Sequence, residues 1–357
     1  MGAHAADAVE MARHQVAELL HADAAEIIWT SGATEANNLA IFGLARGVYA
    51  QRFSGRRRIV TTAIEHKSVS APLRVLERAT GDSFEVVTLP GERDGTICMH
   101  AAREAIDERT LLVSVQVANG EIGTLQPLGE IALLAHQVGA LFHCDAAQAV
   151  GKIALDVNEL DIDFLSLSGH KLYAPKGVGA LYVRRGLASQ MTALQWGGEQ
   201  ERGLRGGTLP VPLLVGLGVA CELCKNEMAS EMTRLSGLRD EFESRLRLLW
   251  PDLQINGACH TRLPHNSSLT FPDLPADALL SRLPDLALST GAACDAGALE
   301  PSQTLIAIGL SRAEASSTIR VGLGRFTTRE DIADAVSQIA AACHSLRQQL
   351  MLQEQAS

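Results

Sequence analysis

Seven short apolar segments recur through the first half of the chain, and most are separated by stretches with helical spacing. This alternation constrains the fold more than any other feature. Glu26–Ser31, Arg58–Ala63, Phe84–Leu89, Leu111–Gln116, Leu141–Cys144, Phe164–Ser166 and Val178–Val183 read as strands, with helical patterns at Glu35–Tyr49, Lys67–Ala79 and Leu128–Val138. Strands alternating with helices predict an α/β domain with a mainly parallel sheet and helices on both faces. From Pro210 to about Trp250 the pattern is helical. Short strand-like pieces follow at Ser267–Phe271, Leu286–Ser289 and Thr318–Gly322, with a closing helix from Thr328. Thr327 and Glu330 have capping-box spacing there, and Ile332, Val336 and Ile339 share one face. The expected organisation is a large domain over 1–235 and a small α+β domain over 236–357.

A length of 357 residues suits two domains, and 46% hydrophobic with 20% charged residues is the balance of a globular protein. The net charge of −10 argues against a nucleic-acid partner, because a phosphate-backbone binder needs a basic face. No apolar run approaches the ~20 residues that span a bilayer, so no membrane partner is expected. The first residues lack the basic-then-apolar layout of a secretion signal, which predicts a cytoplasmic protein. Seven scattered cysteines in a chain of this length read as reduced thiols, and the lone Cys221-x-x-Cys224 pair as structural, with no metal site.

Several residues sit where such a sheet would bind a ligand. Thr30 to Glu35, where a strand gives way to a helix, has the small residues and free N–H groups of a phosphate cradle, with Ala33 and the Thr34 hydroxyl at its centre; an ordinary turn is the alternative. Asp145 closes a strand and Gln148 follows one turn later. A buried aspartate there needs a cationic or hydrogen-bonding partner, which a protonated pyridine nitrogen would supply; an N-cap is the alternative. Lys171 follows Ser168, Gly169 and His170 directly after a buried strand, an odd place for a solvated charge but a fitting one for Schiff-base chemistry. His66 follows another strand and could stack on a flat ring. Cys294 lies among small residues beside Asp295, which would raise its thiol pKa. Arg320, after the strand-like Ser317–Ile319, offers a fork for a carboxylate.

Taken together these stretches resemble the cysteine desulfurases, in the class-V aminotransferase branch of the fold-type I pyridoxal-phosphate enzymes. The matching stretches are TSGATEANN, EHKSV, EIGTLQP, FHCDAAQAVGK, FLSLSGHKLYAPKGVGALYVRR, GGEQERGLRGGTLPVP, STGAACDAGALEPS and SSTIRVGLGRFTT, in family order over nearly the whole chain. The resemblance implies a large domain with a mostly parallel seven-stranded sheet plus a small domain, assembled as a homodimer. It implies that Lys171 carries pyridoxal 5'-phosphate and serves as base, Asp145 pairs with the ring nitrogen, His66 stacks on the ring and Gln148 bonds its phenolic oxygen. Thr34, Ala33, Ser168 and His170 would hold the phosphate, with Thr208 reaching across from the partner subunit. Arg320 and Asn119 would contact the substrate, L-cysteine. Cys294 would take its sulfur as a persulfide and pass it to an acceptor or iron–sulfur scaffold protein, its long loop resembling the iron–sulfur subgroup.

Three features depart from the family pattern. Ala5–Ala17 already resembles the helix that follows the family's opening segment, so a few dozen residues are expected to be lacking. Gly120 stands where the family usually has an asparagine that contacts cofactor and substrate, and Gly206 where serine is common. The alternatives are a related class-V enzyme, such as a selenocysteine lyase or an aminotransferase, and a cofactor-binding but impaired homologue serving as a partner subunit.

Overall fold

The structure, a computed structural model, describes residues 2–79, 84–290 and 301–356. Packing divides the chain into two units. The first comprises Met1–Pro90, Ile97–Ala118 and Gln126–Met228; the second comprises Gly91–Thr96, Asn119–Leu125 and Ala229–Ser357. A helix at Val211–Leu249 carries the chain from one into the other.

The first unit is built on seven strands: β1 (Ile27–Thr30), β2 (Arg58–Thr62), β3 (Glu85–Leu89), β4 (Thr110–Gln116), β5 (Leu141–Asp145), β6 (Phe164–Ser168) and β7 (Gly179–Val183). They lie in the order β1-β7-β6-β5-β4-β2-β3. Strands β2 to β6 pair in parallel, and only β7 runs antiparallel to its neighbours β6 and β1. The expected α/β class and mostly parallel seven-stranded sheet are therefore what the chain forms. Every residue of β4 to β7 is buried, as strands covered by helices on both faces require.

Polar residues inside such strands must find partners within the sheet. His143 on β5 does so by bridging Ser114 Oγ on β4 (2.8 Å from Nδ1) and Ser166 Oγ on β6 (3.1 Å from Nε2). Burial pushes its pKa down to about 3, so it is neutral.

Helix boundaries differ from the sequence reading at two places. The helix expected over Glu35–Tyr49 is two, Ala33–Ala45 and Val48–Arg52, with Gly47 capping the second. Gly47 is pressed against the backbone of Gln190 and Met191, where no continuous helix with a side chain would fit. In the second unit the closing helix (Arg329–Ala356) is capped one residue later than expected. Thr328 and Asp331 form the reciprocal pair, at 2.9 and 3.1 Å. Thr327 Oγ1 is already committed, accepting from Gly324 N at 2.9 Å.

The second unit carries a four-stranded antiparallel sheet of β8 (Gln254–Asn256), β9 (Asn266–Thr270), β10 (Ser289–Thr290) and β11 (Thr318–Gly322), in the order β10-β11-β9-β8. Its core joins Phe242 of the long helix and Trp250 just past its end, Phe271 and Ile319 near the sheet, and Ile332, Val336 and Ile339 of the closing helix. Among the described residues no helix is long and apolar enough to cross a membrane.

Candidate active site

The ends of the central parallel strands bring the first unit's candidate residues to one edge of the sheet, where open α/β sheets bind ligands. Asp145 ends β5 and is buried. Its Oδ1 accepts from Ala147 N at 2.9 Å and its Oδ2 from Asn37 Nδ2 at 2.8 Å. Burial raises its pKa, and those two bonds together with the nearby His66 and the charge of Lys171 offset only part of the rise. Asp145 and Lys171 thus face the same electrostatic neighbourhood.

Asn37 Nδ2 also reaches Ser68 Oγ at 2.8 Å, and that hydroxyl lies 2.7 Å from His66 Nδ1. Ser68 N donates to the same ring nitrogen at 3.1 Å, which makes His66 the cap of the helix Lys67–Glu77. With its backbone neighbour donating to it and Asn37 occupying the serine oxygen, Nδ1 acts as acceptor and Nε2 carries the ring proton of a neutral His66. One hydrogen-bonded chain therefore runs Asp145, Asn37, Ser68, His66.

The phosphate cradle expected near Thr34 is present as geometry. Gly32 caps the helix Ala33–Ala45 without a side-chain hydrogen bond, so the first helical N–H groups are left for another acceptor. Ala33 is half-buried and the Thr34 hydroxyl exposed. Gly179 on β7 makes this approach possible: a Cβ there would lie 2.6 Å from the Gly32 Cα. A Cβ on Gly32 would in turn sit 3.5 Å from Ser168 Oγ, which places that serine against the cradle. Ser168 Oγ is 3.0 Å from His170 Nδ1. Burial and the charges of Lys171 and Lys176 lower the His170 pKa, which favours the neutral ring.

Lys171 lies in a short 3-10 turn, Gly169–Leu172, directly after β6, and is exposed; the turn closes on Tyr173 at φ 65°. Gln148 is half-buried in the turn after β5, and Thr208 is exposed just before the long helix. The segment leading to Thr208 is pinned at two points. Glu201, at φ 46°, receives both Arg13 nitrogens at 2.9 Å and Trp29 N at 2.8 Å. Arg205 Nε donates to Glu35 Oε1 at 2.9 Å, while Glu35 Oε2 accepts Ser31 N at 2.7 Å. At Gly206, where serine is common in the family, a Cβ would lie 2.8 Å from the Gly197 backbone.

In the second unit, Asn119 is buried and its Oδ1 accepts from Glu121 N (2.8 Å) and Ile122 N (3.1 Å). The Gly120 carbonyl accepts from Asn266 Nδ2 at 2.9 Å and from the Arg320 guanidinium at 3.4 Å. Arg320 is half-buried on β11, paired with Ser268 of β9 and Ser289 of β10. Ser302 donates to Glu121. Cys294 and Asp295 lie outside the described residues. Cys221 and Cys224 are buried in the long helix, burial pushing the Cys221 thiol up, and the described residues contain no cluster of metal ligands.

Sequence reading passed over Asn37, Ser68 and Glu35, although each lies inside a quoted motif. Their roles depend on which helix end meets which strand end.

A buried carboxylate with a neutral donor on each oxygen suits a protonated ring nitrogen, and the open helix start suits a phosphate. A family model described as Aminotransferase class-V matches residues 1–334. The chain belongs to the class-V aminotransferase family. Members of this family depend on pyridoxal 5'-phosphate, the group that the site's donor set fits. The class-V chain is 46% identical over 347 residues to a cysteine desulfurase of Rattus norvegicus, covering 97% of this chain and 75% of the relative. Among solved structures it is similar to a NifS-like protein, with TM-score 0.87 and 32% identity, covering 97% of this chain and 90% of the other. It is also similar to SspA in complex with cysteine, with TM-score 0.77 and 38% identity, covering 92% and 89%.

Proposed function

We propose that this class-V protein is a cysteine desulfurase that converts L-cysteine to L-alanine and carries the sulfur away as a persulfide on Cys294. The observation that carries the reading is Asp145, a buried carboxylate fixed by Asn37 and within charge reach of Lys171. The desulfurase relatives and the cysteine-bound neighbour support the substrate.

Bound pyridoxal 5'-phosphate would supply the electron sink for the α-carbon. Lys171 would hold the cofactor and then take the substrate α-proton on Nζ. Asp145 would keep its negative charge for the ring nitrogen, His66 would stack on the ring with its proton on Nε2, and Gln148 would bond the phenolic oxygen. Thr34, Ala33, Ser168 and His170 bind phosphate, and Thr208 serves the site of a second copy in a homodimer. Arg320 binds the substrate carboxylate, and Asn119 holds the turn whose Gly120 carbonyl meets that arginine. The Cys294 thiolate attacks the substrate sulfur: the carbon–sulfur bond breaks, a sulfur–sulfur bond forms, and protonation of the three-carbon remainder leads to alanine. A cytoplasmic sulfur-acceptor or iron–sulfur scaffold protein would take the persulfide sulfur.

Sulfide and alanine release from L-cysteine, measured for the full chain beside Cys294→Ser after recording visible spectra, tests this. The expected result is a coloured protein in both cases and product only with Cys294 intact. A coloured wild type that makes no alanine would instead favour the partner-subunit reading, which Gly120 motivates.

A further inference from the structure

Glu65 precedes His66 and has no role in the chemistry above. Its carboxyl lies between the ends of β2 and β4. Oε1 accepts from Thr62 Oγ1 at 2.8 Å and from Gln116 N at 2.8 Å. Oε2 is closed off from solvent and has no hydrogen-bond partner, although the residue as a whole is half-buried. Gln116 is the β4 residue paired with Asp145 on β5. Two buried carboxyls thus share the floor of the site, and low dielectric makes two neighbouring negative charges there costly.

Their surroundings differ in a way that decides which one is charged. Asp145 has a donor on each oxygen and the Lys171 charge within reach. Glu65 has both of its donors on one oxygen. From the end of β2 Glu65 faces Thr62, from β4 the Gln116 amide, and from β5 Asp145 and Cys144, whose thiol its charge would raise.

We propose that Glu65 is a positioning residue that stays protonated on Oε2, so that Asp145 alone holds the negative charge of the floor. Burial, more than the nearby Asp145, pushes the Glu65 carboxyl up to about 8, in keeping with this assignment. Glu65 acts through Asp145 and through the strand end that carries His66. The inference deepens the proposed function, and its first test does not require the protein to be active.

The cofactor-free full chain and Glu65→Gln, a neutral isostere, are compared by thermal unfolding across pH. A carboxyl raised in the folded state contributes stability that is fully present below its unfolded value of 4.5 and is lost as pH rises through about 8. The midpoint of Glu65→Gln should therefore gain on wild type through that interval and run parallel above it. Infrared spectra of wild type at about pH 7 should show a protonated-carboxyl band that Glu65→Gln lacks. In the cofactor-loaded protein Glu65→Gln should keep turnover within about threefold of wild type, while Glu65→Ala, which leaves two donors unpaired, should lose about tenfold or more.

Parallel unfolding curves throughout, or a band shared by both proteins, would overturn the proposal. So would Glu65→Gln failing as badly as Glu65→Ala. If the variant does not fold, a wild-type spectrum without any protonated-carboxyl band at that pH decides against it. A chain that binds no cofactor would defeat the proposed function while leaving the unfolding and infrared results intact, so the two failures are distinguishable.

Discussion

Asp145 ends a strand buried at every position, and each of its oxygens meets a neutral donor within 2.9 Å. Arg320 is half-buried on a strand of the second unit, and the carbonyl of Gly120 lies at the long limit of 3.4 Å from it. The contrast separates two kinds of recognition. Groups around Asp145 are held before any ligand arrives, so their geometry is part of the fold. A guanidinium has five N–H donors, and among the described residues the side-chain hydrogen bond seen for Arg320 is the long one to Gly120. Changes at the floor should therefore alter the cofactor's electronic state, and changes at the arginine should alter substrate affinity alone.

The sharpest way to break this contrast is Asp145→Ala. It should lower alanine release per bound cofactor by about 10²–10³-fold, the scale of losing one preorganised charge, and should shift the visible band. Arg320→Lys should leave that band in place and raise the KM for cysteine by about tenfold or more, because an ammonium cannot replace a two-pronged contact. A shifted band in the lysine variant would erase the distinction. Ser68→Ala tests the relay from Asn37 to His66; losing one hydrogen bond at each end should cost roughly two- to tenfold in turnover with KM little changed. Thr328→Ala removes a helix cap whose hydrogen bonds run to Asp331 and to neither group. It should cost about 1 kcal/mol of stability, seen as a lower unfolding midpoint, and leave the kinetics alone.

How far such a site can be read from residues alone depends on the range of the interaction. Asp145, Lys171 and Thr34 stand at strand ends, and strand ends follow from apolar segments and the turn residues between them, which are local signals. Asn37 was hidden because its partners, Asp145 and Ser68, lie 108 and 31 residues away. The Glu65 carboxyl owes its enclosure to β2 and β4 lying side by side, its Gln116 partner being 51 residues away. The helix break at Gly47 likewise arises from a backbone segment remote in sequence, at Gln190 and Met191. The misplaced cap at Thr327 had a different origin: two adjacent threonines satisfy the same spacing rule, and only the closure of the turn at Gly324 distinguishes them.

The division of the chain into units has a bearing on how the protein comes into being. Residues 91–96 and 119–125 pack with the second unit although they are flanked by the first, so the polypeptide passes between units at five points. During synthesis these two stretches leave the ribosome well before residue 229 begins the bulk of the body they join. They must be kept from premature partners over the translation of more than a hundred further residues, about 5–20 s or longer at ordinary elongation rates. The turn bearing Gly120 is one of those stretches, so its hydrogen bonds with Asn266 and Arg320 form late, and the smaller body cannot be had by trimming the chain at a single point.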